Sequence, residues 1–317
     1  MISPVLYTPV NRHYTPVNGH ISFGSRRTIP TYDSFTQLKD KSTLLNDLHA
    51  EMKKKKELTI GMVDIDNFKS VNELLGYKAG DEFIKAVSRD ILSVADKYNA
   101  EAYRFGGDEF AILMLSGFSE QEKINIMKQI TEKVSKNPIL KGKSELYEAN
   151  ANSLLSSYEK QNNKFKKLLE NDTKLNILKD IYSKSTIARR DPYVISSLQS
   201  ANKERSQTYH TLIEESTKGE KDELTRESIK FASLDDGEQK VYEYLAAKYD
   251  KNHEIYRLKS WLKEFQKNGF SVTSGVVTFQ PSFYTGKQPI DLINEVGEIL
   301  KKGKSQNKNT VSYGELK

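Results

Sequence analysis

The sequence predicts an α+β fold: a strand-rich core covered by helices and interrupted by a long helical insertion. Three observations carry this. Apolar runs of strand length at residues 58–64 and 110–115 alternate with helical patterns. The pair Gly106-Gly107 stands between two strand-like runs, which signals a tight two-residue hairpin link. Between residues 140 and 267 the chain is rich in Lys, Glu and Asn, with apolar residues recurring at helical spacing.

The elements follow in order. Residues 1–32 are rich in Pro, Thr, Tyr, Gly and Arg without periodicity and read as an irregular arm. An entry turn at Asp33 leads into an amphipathic helix that ends near Lys56, with Leu44, Leu45 and Leu48 on one face. The strand at 58–64 passes into a helix at 67–75. A second helix, residues 82–97, turns Phe83, Val87, Ile91 and Val94 inward. The hairpin 101–115 and a helix over 119–135 complete the first part, residues 33–139. In the insertion, Leu154, Tyr158, Phe165, Leu168, Leu175, Leu178 and Tyr182 form one stripe. Val241, Leu245 and Tyr249, then Ile255, Leu258, Leu262 and Phe265, form others. A helical hairpin or small bundle fits, its stripes buried against each other or against a second chain. Residues 216–239 are polar and read as a loop within it. Both a passive insertion and a regulatory, dimer-shaping module are consistent with this pattern. Residues 268–317 return to the strand-rich core.

With 317 residues the chain has room for one large or two modest domains. It has no cysteine, which excludes disulfides and Cys-based zinc sites. Its five histidines, His13, His20, His49, His210 and His253, lack metal-ligand spacing. No apolar run is long enough to cross a membrane, and the N-terminus has no signal-peptide core, so a cytoplasmic protein is expected. The net charge of +6 is modest. The run Lys53–Lys56 reads as a solvated helix end, and no nucleic-acid module appears.

The chemistry concentrates in two acidic clusters. Asp108 and Glu109 directly follow the glycine pair, where Gly106 and Gly107 leave room for phosphates to approach the backbone. Asp64-Ile65-Asp66 ends the strand at 58–64, as ligand-binding carboxylates do at the edge of a sheet. Either cluster alone reads as an exposed acidic turn or a helix cap. Two on neighbouring strands point to a divalent cation, since Mg²⁺ is usually held by one or two carboxylates plus substrate phosphates. Asp64 with Asp108 would form that site, and Lys69 would add a phosphate contact.

These residues, Arg104-Phe105-Gly106-Gly107-Asp108-Glu109-Phe110, resemble the GGDEF family of diguanylate cyclases. Five further blocks carry the resemblance in order. They are Asp33-Ser34-Phe35-Thr36-Gln37-Leu38, Asp64 to Asn72 with Phe68-Lys69 between, Gly76-Tyr77 with Gly80-Asp81, Ser271 to Val276, and Lys304 with Lys308-Asn309. Together they cover about half the chain, roughly 33–138 and 268–317.

The resemblance implies a ferredoxin-like, palm-type antiparallel sheet with flanking helices. It implies that two GTP condense to cyclic di-GMP with release of two pyrophosphates, in a homodimer and with Mg²⁺ or Mn²⁺ as cofactor. Asp64 and Asp108 would be metal ligands, assisted by the Ile65 carbonyl, and Glu109 would contribute to metal binding or hydroxyl activation. Asn72 and Asp81 align with the guanine-reading pair; an acceptor there suits guanine's N1–H and 2-amino donors. Phe68, Lys69, Lys304 and Lys308 align with phosphate contacts. Departures are Tyr77 for the usual His, Glu73 for the usual Asp, and Lys308 for an Arg that would grip phosphate through two donors. Lys97-Tyr98-Asn99-Ala100 stands where the family's product-inhibition motif, Arg-x-x-Asp, would begin, so no inhibitory product site is expected there. One alternative is a cyclic-nucleotide synthase of other base preference. The other is a catalytically weak or inactive domain that binds GTP or a protein partner and signals through the insertion.

Overall fold

A computed structural model describes residues 29–115, 117–184, 191–217, 245–306 and 308–316. Most of the expected N-terminal arm, residues 1–28, lies outside them. Thr31 and Tyr32, assigned to that arm, instead belong to the domain. The Thr31 amide donates to Thr43 Oγ1 at 2.8 Å, and Tyr32 bridges to Lys39.

The strands are β1 (Lys39–Asp40), β2 (Leu58–Ile65), β3 (Glu101–Arg104), β4 (Glu109–Leu115), β5 (Val272–Phe279) and β6 (Val311–Leu316). They form one sheet in the order β1-β3-β4-β2-β5-β6. The inner four pair antiparallel in the order of a ferredoxin-like fold. The outer pairs, β1 with β3 and β5 with β6, are parallel. The expected antiparallel sheet is therefore mixed at its edges. The physical reason at β6 is its connection: helix α9 (Pro289–Gln306) carries the chain back before β6 begins, and a crossover of that kind returns a strand in the same direction.

Alternation along the strands sends side chains to two layers. On one face Val63, Ile65, Phe110 and Ile112 pack under α3 (Tyr77–Lys97) and α4 (Glu120–Ser135), through Phe83, Val87, Ile91, Ile126 and Ile130. On the other, Ile60, Met62, Leu113 and Val277 pack under α1 (Lys41–Lys53) and α9, through Leu44, Leu48, Leu292 and Val296. The α9 backbone lies directly on β5: a Cβ at Gly275 would stand 2.7 Å from the Leu300 nitrogen. That close approach brings Lys304, one turn beyond Leu300, to the C-terminal end of β2.

Two local expectations change. Helix α3 begins at Tyr77 rather than near residue 82, because the break from α2 (Phe68–Leu75) is made by Gly76 alone, at φ +84°. Asp81 therefore sits on a helix. The hairpin link is also wider than Gly106-Gly107. Arg104 pairs with Phe110, and both the Phe105 and Gly106 amides donate to the Glu109 carbonyl, at 2.9 and 3.1 Å. Arg104 holds this wider loop by donating to the carbonyls of Gly106 at 3.1 Å and Gly107 at 2.9 Å.

Between α4 and β5 the chain is helical: α5 (Pro138–Lys141), α6 (Ser144–Lys184), α7 (Pro192–Thr217), a turn at 245–249, and α8 (Asn252–Asn268). Helices α6 and α7 pair along their length, with ion pairs Lys164–Glu215, Lys174–Glu204 and Arg205–Asp172. Phe165, Leu168, Tyr209, Leu212, Ile213, Leu245 and Tyr249 form their shared core. Ser216 and Thr217, expected in a loop, end α7. The rest of that expected loop, residues 218–239, and Val241 lie outside the described residues, as does the Tyr182 side chain. The stripes nearer the sheet have a partner that sequence did not suggest. Tyr147, Ala151, Leu258, Trp261, Leu262 and Phe265 of α6 and α8 bury Leu74 of α2. Among the described residues no helix is long and apolar enough to cross a membrane.

Candidate active site

The carboxylates assemble at the end of β2. Asp64 pairs in register with Glu109 on one side and with Thr273 on the other. The Asp108 carbonyl accepts the Ile65 amide at 3.2 Å, which ties the glycine loop to β2. The Asp64 side chain is mostly buried, at 15% exposure, and forms an ion pair with Lys304 of α9. Its pKa is raised to about 6: burial is the main cause, Lys304 opposes it, and the charges of Asp108 and Glu109 add to the rise. The structure thus brings Asp64, Asp108, Glu109 and Lys304 together. Asp64, Glu109 and Lys304 border a cleft of about 490 Å³ that Phe105 and Lys301 also line.

The two glycines of the loop differ in their surroundings. A Cβ at Gly106 would lie 2.7 Å from Glu109 Oε2, so this glycine makes room for the protein's own carboxylate. Gly107 has open space around it. Two residues that sequence did not assign to the site support the loop. Arg104 binds both glycine carbonyls and also donates to Asp33 at 3.1 Å. Burial works to raise the Asp33 pKa, but the Thr36 hydroxyl and amide and Arg104 outweigh it and hold it below the ordinary carboxylate value. The signal was present in sequence: Asp33 opens the first motif block, and Arg104 immediately precedes the loop.

Asp66 is not part of the acidic cluster. It is buried and accepts from the hydroxyls of Ser271 and Thr273, both at 2.7 Å, and from the Asn309 amide at 3.2 Å. Of the two carboxylates in Asp64-Ile65-Asp66, the second joins the ends of three strands and the first faces the cleft.

Helix α2 starts two residues after Asp66 and carries Phe68, Lys69 and Asn72. The Asn72 carboxamide and the Phe68 ring pack against Gly80 of α3, which brings Asp81 beside them. Asp81 and Lys69 are exposed. Lys69 pairs with Glu73 at 3.7 Å, and Glu73 also receives Arg257 of α8 at 3.0 Å. Lys308 is separated from Lys304: its ammonium donates to Asn67 Oδ1 at 2.8 Å and lies 3.8 Å from Glu264 of α8.

Among the described residues no group of three or more His, Asp or Glu could hold a metal ion unaided. The donor set nevertheless suits a hard divalent cation completed by substrate oxygens. Asp64 is raised in pKa mainly by its burial and further by the charges of Asp108 and Glu109, and the Lys304 ammonium pairs with it.

Residues 30–182 match the family described as "Diguanylate cyclase, GGDEF domain". Among curated proteins, the cyclic di-GMP phosphodiesterase NbdA of Pseudomonas aeruginosa is 32% identical over 120 residues, 36% of this chain and 15% of that protein. Diguanylate cyclase A of Treponema denticola is 34% identical over 117 residues, 35% of this chain and 31% of that protein. The chain thus spans less than a third of the length of these relatives. Among solved structures, the GGDEF domain of DgcB from Caulobacter crescentus, in complex with c-di-GMP, is similar at 15% identity and TM-score 0.43, covering 94% of this chain and 98% of that one. The family match takes in Asp64, Asp108, Glu109 and the Asn72–Gly80 contact, so the segment that carries these residues is similar to a GGDEF domain.

Proposed function

We propose that the chain is a diguanylate cyclase that condenses two GTP into cyclic di-GMP. The observation that carries this reading is the meeting of Asp64, Asp108 and Glu109 beside Lys304, with Asn72 seated against Gly80 on the adjoining helices. In the reaction each ribose 3′-hydroxyl attacks the α-phosphorus of the other GTP. A phosphodiester forms, the bond to the β-phosphate breaks, and each GTP releases one pyrophosphate. Two GTP-loaded protomers must face each other, so the reading includes a homodimer.

Each residue then has a task. Asp64 and Asp108, with the Ile65 carbonyl, would hold Mg²⁺ or Mn²⁺. Such an ion, when bound, offsets phosphate charge and lowers the pKa of the attacking hydroxyl. Glu109, in the space cleared by Gly106, would contribute to metal binding or accept the hydroxyl proton. Asn72 and Asp81 would take guanine, and an unpaired acceptor facing adenine would reject it. Phe68, Lys69, Gly106, Gly107, Lys304 and Lys308 would line the phosphates. Such a protein works where GTP is supplied, in the cytoplasm. Residues 140–267 would be an insertion in the family domain, with 33–139 and 268–317 its two parts. The exposed side chains of Leu169, Ile177, Ile181 and Tyr193 on α6 and α7 support a protein partner there.

A second reading, a catalytically weak domain that signals through the helical arm, is favoured by the engagement of Lys308 with Asn67 and Glu264 rather than with the cleft. The deciding experiment is incubation of the purified protein with GTP and Mg²⁺ or Mn²⁺, followed by mass identification of products. Cyclic di-GMP supports the cyclase. Tight GTP binding without product supports the second reading, and the absence of both GTP binding and product overturns both.

A further inference from the structure

Helix α8 belongs to the long helical segment, yet it delivers charge to the nucleotide edge of the sheet. Arg257, Trp261 and Glu264 recur at four and three residues, so they share one face across two turns. Trp261 anchors this face in the apolar contact with α2, and the Arg257 guanidinium stacks on its ring at 4.8 Å. At one end Arg257 holds Glu73, the partner of Lys69. At the other Glu264 stands 3.8 Å from Lys308. Glu264 Oε2 is buried and, among the described residues, makes no hydrogen bond, and the Lys308 ammonium is the cation beside it. Lys308 in turn has its ammonium at Asn67, the residue just before the start of α2.

We infer that Glu264 sets the affinity of the site for a nucleoside triphosphate by competing with phosphate for Lys308. This rests on the reading of Lys308 as a phosphate contact. An arriving triphosphate must draw the ammonium away from a carboxylate already beside it, so the pair lowers affinity. Because Glu264 sits on the helical arm, any change in the seating of α8 on α2 would change that competition. Glu264 is a positioning residue: it acts through Lys308 and does not touch the reacting atoms.

The test measures binding by calorimetry of the Mg²⁺ complexes of GTP and of inorganic tripolyphosphate, which lacks a base and reports the phosphate contacts alone. The proteins are wild type, Glu264→Gln, Glu264→Asp, Lys308→Met and the double variant Glu264→Gln/Lys308→Met. Glu264→Gln is nearly isosteric and keeps the helix. It is expected to bind both ligands about two- to fivefold more tightly, the range of a partly exposed ion pair. Glu264→Asp is expected to stay closer to wild type, and the gain should vanish when Lys308 is Met. Equal tripolyphosphate affinity in wild type and Glu264→Gln overturns the proposal. A gain that persists in the Lys308→Met background also overturns it, because Glu264 would then act by its general field. Failure of the functional reading is seen separately, as loss of preference for GTP over ATP in the wild type, and the tripolyphosphate comparison stands without it.

Discussion

Asn72 Oδ1 occupies the space that a side chain at Gly80 would need: a Cβ there would stand only 1.9 Å from it. The carboxamide proposed to read guanine is therefore positioned by an absence of atoms on the neighbouring helix. Gly80→Ala should expel it. The expected result is GTP binding weakened by about 1–3 kcal/mol, the cost of leaving a polar contact unmade, with ATP binding unchanged. Calorimetry with both nucleotides checks this. Equal losses for both would mean that the glycine only packs helices. Asp81→Ala should show the same selectivity.

Asp64→Asn and Asp108→Asn should each nearly abolish product formation while leaving a cooperative melt. Each removes an anionic donor from a pair, and Mg²⁺ binds few protein carboxylates to begin with. Asp66→Asn should behave differently. Its carboxylate holds Ser271, Thr273 and the Asn309 amide together, so its loss should lower the melting temperature first. Turnover near the wild-type rate in Asp64→Asn at saturating Mg²⁺ would remove that residue from the metal site.

Most of the fold was legible because its signals are local. The Leu58–Ile65 strand is a mostly apolar run with Asp64 near its end, and Phe83, Val87, Ile91 and Val94 recur every three or four residues; all four are buried. What escaped depends on partners distant in sequence. The hairpin link widened because Arg104 captures the Gly106 and Gly107 carbonyls. The parallel β5–β6 edge follows from a helix crossover, which no strand pattern encodes. At the candidate site, residue types singled out Asp64, Asp108 and Glu109, which lie close together at the end of β2. The same types could not show that Asp66 faces Ser271 and Thr273, that Lys308 faces Glu264, or that Gly106 clears space for Glu109.

Stability should depend on pH through Glu57. The largely buried Lys123 ammonium, bonded at 2.6 Å, holds the Glu57 carboxyl below its ordinary 4.5. A depressed carboxylate contributes stability above the unfolded value and loses it as pH falls through the folded value. Glu57→Gln should therefore cost about 1 kcal/mol at neutral pH, a figure limited by the partial exposure of Glu57. That deficit should shrink below about pH 4.5, where the unfolded wild type protonates. Urea melts of both proteins at pH 7 and pH 3.5 check the sign; a constant difference would refute the linkage.

Trp261→Ala should reach the nucleotide although Trp261 touches none of the proposed ligand contacts. It is buried between α8 and α2 and carries the Arg257 that holds Glu73. Truncating a buried aromatic costs about 3–5 kcal/mol, and the loosened α2 should weaken GTP binding as well. A destabilised protein with wild-type GTP affinity would confine the contact to packing.

The helical arm has two parts that deletion can separate. Its outer core, Phe165 to Tyr249, lies wholly between residues 163 and 251. Its inner contact with α2 is built from residues before and after that span. Asn162 Nδ2 donates to Asn252 Oδ1 at 3.0 Å, so the two ends meet and a short Gly/Ser link can join them. Removing 163–251 should leave a cooperative melt and wild-type GTP affinity, because Leu74, Tyr147, Trp261 and Phe265 remain covered. Removing all of 140–267 should not, because it strips the cover from Leu74 and takes Tyr147 Oη from its 2.7 Å contact with Ser70 Oγ. Self-association and turnover of the shorter deletion then decide what the outer part does. If either changes while binding holds, the outer helices govern how protomers meet. If sedimentation and rate both match the full chain, they are passive, and control by the arm is confined to α8 and its contacts with α2.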